Sequence, residues 1–548
     1  MLLSAGRRQF NTDLILFSGN IHDLLGAASH LQILPVVGAC ADFLHSQLDM
    51  DNCIDVLTLA ETYTLLPLQK VANCFVGRYF DKLSWLPQFQ RLSPSQLQQL
   101  LQQDYPIECA EVDVLKALLR WLLHDPLACQ PVSHQQQEKT SSSSQSQSSG
   151  LLSPPPSRSE NARLILKLIN YEHISKEEEC QFKECALFTD LQDRFADAAA
   201  VVLNEFVKAH GKDHHQLMTQ PSGIINVRGF EPALVNVGGF KALRGVSNDL
   251  TYYHASNKTW KYLTTIPHVE QCDYGIAVCN NQLYVVGGCF NQSLQEHIHA
   301  YGFRYDPSSG DWTAIRPMVH ERCRFHLAAV GERLYAVAGI GDELPDPGSC
   351  ECYDIASNTW YEVAPTPRPV SQQAGAVLQE RVVYISGGLD PVEEYPLDQL
   401  TCYDPVHGVW EEKTAMLSPR CDHSMVALQH KLYVAGGWHT DSVTLNREIH
   451  STVDCFDLET NQWNSITHMP TPRYHASMVL LADHLYLIGG FTEGQFNRTS
   501  NKIECYNVET ESWSSTPQSY PFAIWEHLTC VMHIPTCLES RPIEGTNS

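Results

Sequence analysis

Leu283-Tyr284-Val285-Val286-Gly287-Gly288 decides the fold of this chain, because the phrase recurs. It is preceded by Val235-Asn236-Val237-Gly238-Gly239 and followed by Leu334-Tyr335-Ala336-Val337-Ala338-Gly339. It returns as Val383-Tyr384-Ile385-Ser386-Gly387-Gly388, Leu432-Tyr433-Val434-Ala435-Gly436-Gly437 and Leu485-Tyr486-Leu487-Ile488-Gly489-Gly490. The second glycines stand 49, 51, 49, 49 and 53 residues apart. Each pair is followed by an aromatic and, seven positions on, by a tryptophan: Tyr253 and Trp260, Tyr305 and Trp312, Tyr353 and Trp360, Tyr403 and Trp410, Phe456 and Trp463, Tyr506 and Trp513. A period of about fifty with this content implies a six-bladed β-propeller of four-stranded blades. The Val, Ile and Tyr run before each glycine pair suits a strand buried on both faces. The glycines fit where a Cβ would collide near the crowded centre of the ring. The tyrosines and tryptophans fill the wedges between blades, each with a polar tip to satisfy. Ala338, in place of a first glycine, is a departure the fold should tolerate.

The 548 residues suffice for two or three domains. A net charge of −25 argues against nucleic acid and anionic membranes and leaves basic protein segments as ligands. No run of eighteen apolar residues occurs, and residues 1–20 lack the order of a signal peptide. The nineteen cysteines are therefore expected as thiols in a reducing, cytoplasmic setting. Cys352, Cys402, Cys455 and Cys505 each precede a repeat aromatic, so they share one strand position in four blades. There is no C-x-x-C pair or H-E-x-x-H, so neither a metal nor a cofactor is expected.

The first 210 residues carry helical periodicity instead. Leu24, Leu25, Ala28 and Leu31, then Val37, Cys40, Ala41 and Leu44, fall at helical spacing. Asp51 or Asn52 offers an N-cap for a second helix pair, and a further amphipathic helix follows Glu111, with Val114, Leu115, Leu118, Trp121 and Leu122 on one face. Residues 164–169 and a long helix from about Asp190 to His210 complete an antiparallel helical array. Between Cys129 and Asn161 lies a Ser-, Gln- and Pro-rich tract too polar to bury, expected as a disordered surface insert.

The string 24–48, then Asn52-Cys53 with Ala60-Glu61-Thr62-Tyr63, then Glu111-Val112 through Trp121, resembles the end of a BTB domain running into a BACK domain. With six kelch units behind it, the chain resembles the BTB–BACK–Kelch (Kelch-like) family. The resemblance implies a BTB remnant at 1–48, a BACK-like helical domain at 49–210 with its insert at about 129–161, a linker at 211–232, a six-bladed kelch propeller at 233–536 and a flexible tail at 537–548. In that family BTB dimerises and grips a cullin scaffold. Here the expectation is an N-terminally truncated BTB, which leaves both dimerisation and cullin docking open. Without their partners Leu24, Leu25, Leu34 and Val37 are expected to form an exposed apolar patch.

The first blade lacks its inner strand, and His527-Leu528-Thr529-Cys530-Val531-Met532, matching the stretch from His423, is expected to supply it and close the ring. Ligands of propellers meet the loops at one mouth of the channel. Aligning the units puts Asp273, Arg324, Gln373, Asp422, His475 and Glu526 at one position per blade, with Arg322, Arg420, Tyr474 and Trp525 beside them. Loops after the glycines add Asp342, Glu343 and Asp346, then Asp390, Glu393 and Glu394, and Trp438 stands at the mouth of the fifth blade. An acidic half-rim with an aromatic suits a basic peptide motif on a target protein.

The family resemblance implies a substrate-recognition adaptor of a BTB-dependent cullin–RING ubiquitin ligase, with no catalytic residue of its own. The alternative is a non-catalytic kelch scaffold, or a competing truncated regulator, that binds targets without recruiting the cullin. An oxidase-type propeller site requires a Tyr/His/Cys constellation and an oxidising setting, and the sequence assembles neither.

Overall fold

The computed structural model describes residues 20–102, 105–124, 158–210, 228–254, 258–292, 295–342, 348–441, 446–481, 483–492, 498–515 and 519–538. Most of the Ser/Gln/Pro insert, residues 1–19, 211–227 and 539–548, and Glu343 and Asp346 lie outside them. The described chain forms a helical unit up to Phe230 and a β unit from Glu231.

In the helical unit, Leu34–Ser46 and Leu66–Arg78 both begin with proline in the first turn, where its missing N–H costs nothing. Glu111–Leu123 buries the face read from its spacing, Val114, Leu115, Leu118, Trp121 and Leu122, and the Trp121 indole donates to the Leu92 carbonyl at 2.9 Å. Asn52 does precede the helix Cys53–Thr62, but its side chain serves the loop: Oδ1 accepts from the Asp49 N–H at 3.0 Å and Nδ2 donates to Gln47 O at 2.6 Å. The long helix expected from Asp190 to His210 is two helices, Ala186–Arg194 and Ala196–His210, broken where Phe195 leaves helical geometry at φ −140° and ψ 62°. Arg228 returns to this unit and pairs with buried Glu111, while also donating to the carbonyls of Leu101 and Leu168. Of the expected apolar patch, Leu25 is buried and Leu24 and Val37 half-buried, whereas Leu34 is 74% exposed beside Leu31 and Ile33.

The β unit holds six four-stranded sheets. In the third, His326–Val330, Arg333–Val337, Cys350–Asp354 and Thr359–Val363 follow one another antiparallel, each paired with the next. The first blade takes its inner strand from the far end of the chain: Leu528–Pro535 lies beside Phe230–Val237, followed by Asp249–His254 and Thr259–Thr265. The ring is thereby closed within a sheet.

Blade-to-blade contact explains the repeated residues. A Cβ on Gly387 would sit 2.3 Å from the Arg420 carbonyl oxygen of the next blade, and one on Gly436 2.4 Å from that of Arg473. Both glycines are left-handed, at φ +52° and +71°, and Ala338 takes the same conformation at +55°. The Trp312, Trp360, Trp410, Trp463 and Trp513 indoles donate to Thr264, Arg316, Ala364, Thr414 and Thr467 of the blade before, at 2.8–3.0 Å. Cys352, Cys402, Cys455 and Cys505 do share a strand position, opposite Tyr335, Tyr384, Tyr433 and Tyr486, and all four are buried free thiols.

Candidate functional site

Each blade's inner strand is entered through one residue held in the left-handed region. These are Asp273, Arg324, Gln372, Asp422, His475 and Glu526, with φ between +49° and +55°. In five of the six the N–H donates to the equivalent residue of the preceding blade. Arg324 donates to Asp273 O at 2.9 Å, Gln372 to Arg324 O at 3.0 Å, Asp422 to Gln372 O at 3.2 Å, His475 to Asp422 O at 3.1 Å and Glu526 to His475 O at 3.3 Å. The result is a collar of main-chain hydrogen bonds around a channel cavity of 480 Å³.

The collar corrects the fourth blade by one residue. Gln372, not Gln373, occupies the shared position; Gln373 is buried, and its amide donates to Val337 O at 2.9 Å. Arg322 and Arg420 are also corrected. Both are 0% exposed and lie inside their blades, Arg322 on Glu351 at 2.6 Å and Arg420 on Asp454 at 2.5 Å. Each also donates to the carbonyl that opens the glycine pair, Ala338 or Gly436. Arg473 repeats the arrangement in the sixth blade with Glu504 at 2.7 Å and Gly489. A buried guanidinium needs this many acceptors, so these arginines brace the loops instead of meeting a ligand. The signal was present: Glu351, Asp454 and Glu504 each stand two residues before the repeat aromatic, and the three blades without the arginine, with Gln271, Val370 and Ile524 in its place, have Phe303, Thr401 and Thr251 there.

Under the collar, each blade makes one cross-strand pair: Cys272 with Cys289, Cys323 with Ile340, Ser371 with Leu389, Cys421 with Trp438, Tyr474 with Phe491 and Trp525 with Phe240. Phe240 stacks on Trp525 at 5.6 Å, Trp525 meets Phe491 at 5.2 Å and Phe491 stacks on Tyr474 at 5.2 Å. Tyr474 is thus buried and Trp525 half-buried within an aromatic ladder. Trp438 is buried too, its indole donating to Asp422 Oδ2 at 2.7 Å and its face covered by the Arg447 guanidinium at 3.8 Å. A second cavity, of 360 Å³, brings Arg324, Gln372, Asp422 and His475 together with Trp438, Arg447 and Glu394. Asp342 and Glu393 are exposed on their loops, outside the walls of both cavities.

The collar has three carboxylates against one guanidinium. Arg324 pairs with Asp273 at 3.0 Å, and His475 lies 3.3 Å from Asp422 and 3.8 Å from Glu526. Burial raises the Asp273 carboxyl above its ordinary value, with Arg324 opposing, and burial likewise raises Glu526, with His475 opposing. For Arg324, burial acts downward and the Asp273 carboxylate overrides it upward. Desolvated acids with a surplus of negative charge are arranged to accept a cation, and nothing in the collar pairs a nucleophile with a base.

Comparison with protein families agrees with this architecture. The family described as KLHDC2/KLHL20/DRC7 Kelch-repeats domain matches residues 230–437 and 413–535, and that described as BTB And C-terminal Kelch matches residues 53–135. Kelch-like protein 26 of Danio rerio is 27% identical over 503 residues, covering 90% of this chain and 75% of its own. Kelch-like protein 36 of Mus musculus is 26% identical over 540 residues, covering 97% and 81%. The solved structure titled "Structure of YjhT" aligns with 52% of this chain and 98% of its own at 13% identity and a TM-score of 0.45.

Proposed function

The chain belongs to the Kelch-repeat family, with a BACK domain ahead of its propeller, and from that premise we propose that it is a substrate-recognition adaptor of a cullin–RING ubiquitin ligase. The propeller would hold a target protein, and the ubiquitin chemistry would belong to partners. One observation carries the target side of this reading: the collar gathers Asp273, Asp422 and Glu526 around a 480 Å³ channel with Arg324 as its guanidinium. That charge balance favours a Lys- or Arg-containing segment of the target. Glu394, at the edge of the adjoining cavity, extends the same sign outward.

Co-precipitation of the full chain with cullin scaffold and with captured targets tests the reading. Recovery of both together, with targets lost and cullin kept in a Glu526→Lys/Glu394→Lys variant, is the expected result. Targets recovered without cullin would replace the adaptor by a target-binding scaffold. Reversal of both acids without loss of any target would remove the basic-motif assignment.

A further inference from the structure

The cross-strand pair under the collar is apolar or aromatic in most blades, but in the second it is Cys272 opposite Cys289, and Cys323 of the third blade lies against Cys289. Cys272 and Cys289 exchange both main-chain hydrogen bonds at 2.9 Å, and their sulfurs stand 3.6 Å apart. Sγ of Cys272, a carboxylate oxygen of Asp273 and Sγ of Cys289 all lie within 4.8 Å of one another, as do Sγ of Cys289, a carboxylate oxygen of Glu296 and Sγ of Cys323. Cys289 is the shared vertex of both groups.

We propose that Cys272, Cys289 and a carboxylate oxygen of Asp273 form a zinc site with water in the fourth position, and that Cys323 backs Cys289 from the next blade. With Zn–S bonds of about 2.3 Å, a tetrahedron places its sulfurs about 3.8 Å apart, close to the separation of Cys272 and Cys289. Soft thiolates with one carboxylate form a donor set that zinc accepts. The charges close as well: two thiolates and one carboxylate on Zn(II) leave one negative charge, and the Arg324 guanidinium, 3.0 Å from Asp273, lies beside it to compensate. Cys289 and Cys323 are 2% and 0% exposed, while Cys272 is half-buried and Glu296 exposed, so the site is dry on its inner side and reachable from outside. Its two cysteines stand 17 residues apart, which is why no short metal-binding spacing marks them. The metal would tie the two facing strands of the second blade together at collar residue Asp273.

The test is metal content of the full chain, purified under reducing conditions without added metal and then titrated with cobalt(II) and zinc(II). Stoichiometric zinc, a cobalt–thiolate charge-transfer band displaced by zinc, and a melting temperature raised by zinc are expected. Cys289→Ser should weaken cobalt binding by at least about 100-fold, more than the loss of an outer-shell partner costs, and Cys272→Ser should weaken it as well. Circular dichroism of each variant separates loss of ligand from loss of fold. Wild-type protein without zinc and without a thiolate band on cobalt titration would overturn the proposal. So would a band unchanged in folded Cys289→Ser, or a Cys272–Cys289 disulfide that forms in air equally with and without zinc.

Discussion

The indole of Trp438 donates to Oδ2 of Asp422 at 2.7 Å, so an aromatic wall and a collar acid are one unit. His475 of the next blade approaches the same oxygen at 3.3 Å. The carboxylate is oriented before any ligand arrives, which reduces the ordering a ligand must supply.

Asp422→Asn keeps an oxygen for the indole and removes one charge from the collar. It is expected to weaken binding of a Lys/Arg peptide roughly tenfold and to flatten the salt dependence of that binding. Calorimetric titration at two ionic strengths measures both.

The buried arginines supply a sharper prediction. Arg420→Val leaves Asp454 buried without its cation and should destabilise the propeller by about 3–5 kcal/mol. Arg420→Val/Asp454→Thr installs the pair that the fourth blade already uses, Val370 with Thr401, and is expected to recover to within about 1 kcal/mol of the parent. Urea unfolding of the two variants decides this.

Ala338 holds a left-handed conformation that an L side chain resists. Ala338→Gly is expected to stabilise the protein by about 1 kcal/mol, read as a higher unfolding midpoint.

Removing Glu526 and everything after it takes away the inner strand of the first blade and exposes the edge of Phe230–Val237. A drop of roughly 10 °C or more in melting temperature is expected. Unchanged melting would show that the closure does not support the ring.

Acid should act through buried histidines. Burial holds His527 down to about 3 and, with Arg420 adding repulsion, holds His423 well below its ordinary value. Both pKa values are lower folded than unfolded, so their contribution is complete above about pH 6.5 and is lost as pH falls below it. Each costs about 1.4 kcal/mol per pH unit in that window, and urea midpoints measured from neutral pH downward should show the slope. His527→Leu should reduce it.

The ring was legible because six copies of one spacing leave little freedom: the glycine pair, the aromatic and the tryptophan fix blade number and strand order. The collar positions were legible to within a residue. Ser371-Gln372-Gln373-Ala374 offers two adjacent glutamines and no aromatic anchor, and only the sign of φ separates collar from core. Arg322 and Arg420 stand two positions before collar residues, so proximity in sequence suggested a shared face. Their burial depends on acids about thirty residues away. Phe195 breaks a helix without proline or glycine to announce it.

Five main-chain hydrogen bonds join the six collar positions, so their side chains are spared most of the work of linking one blade to the next. The positions read in order as a six-letter word, Asp-Arg-Gln-Asp-His-Glu. A left-handed backbone restricts the alphabet chiefly by excluding β-branched letters. Within that alphabet the word can be respelled one blade at a time, and a propeller of unchanged architecture becomes addressable to a different ligand.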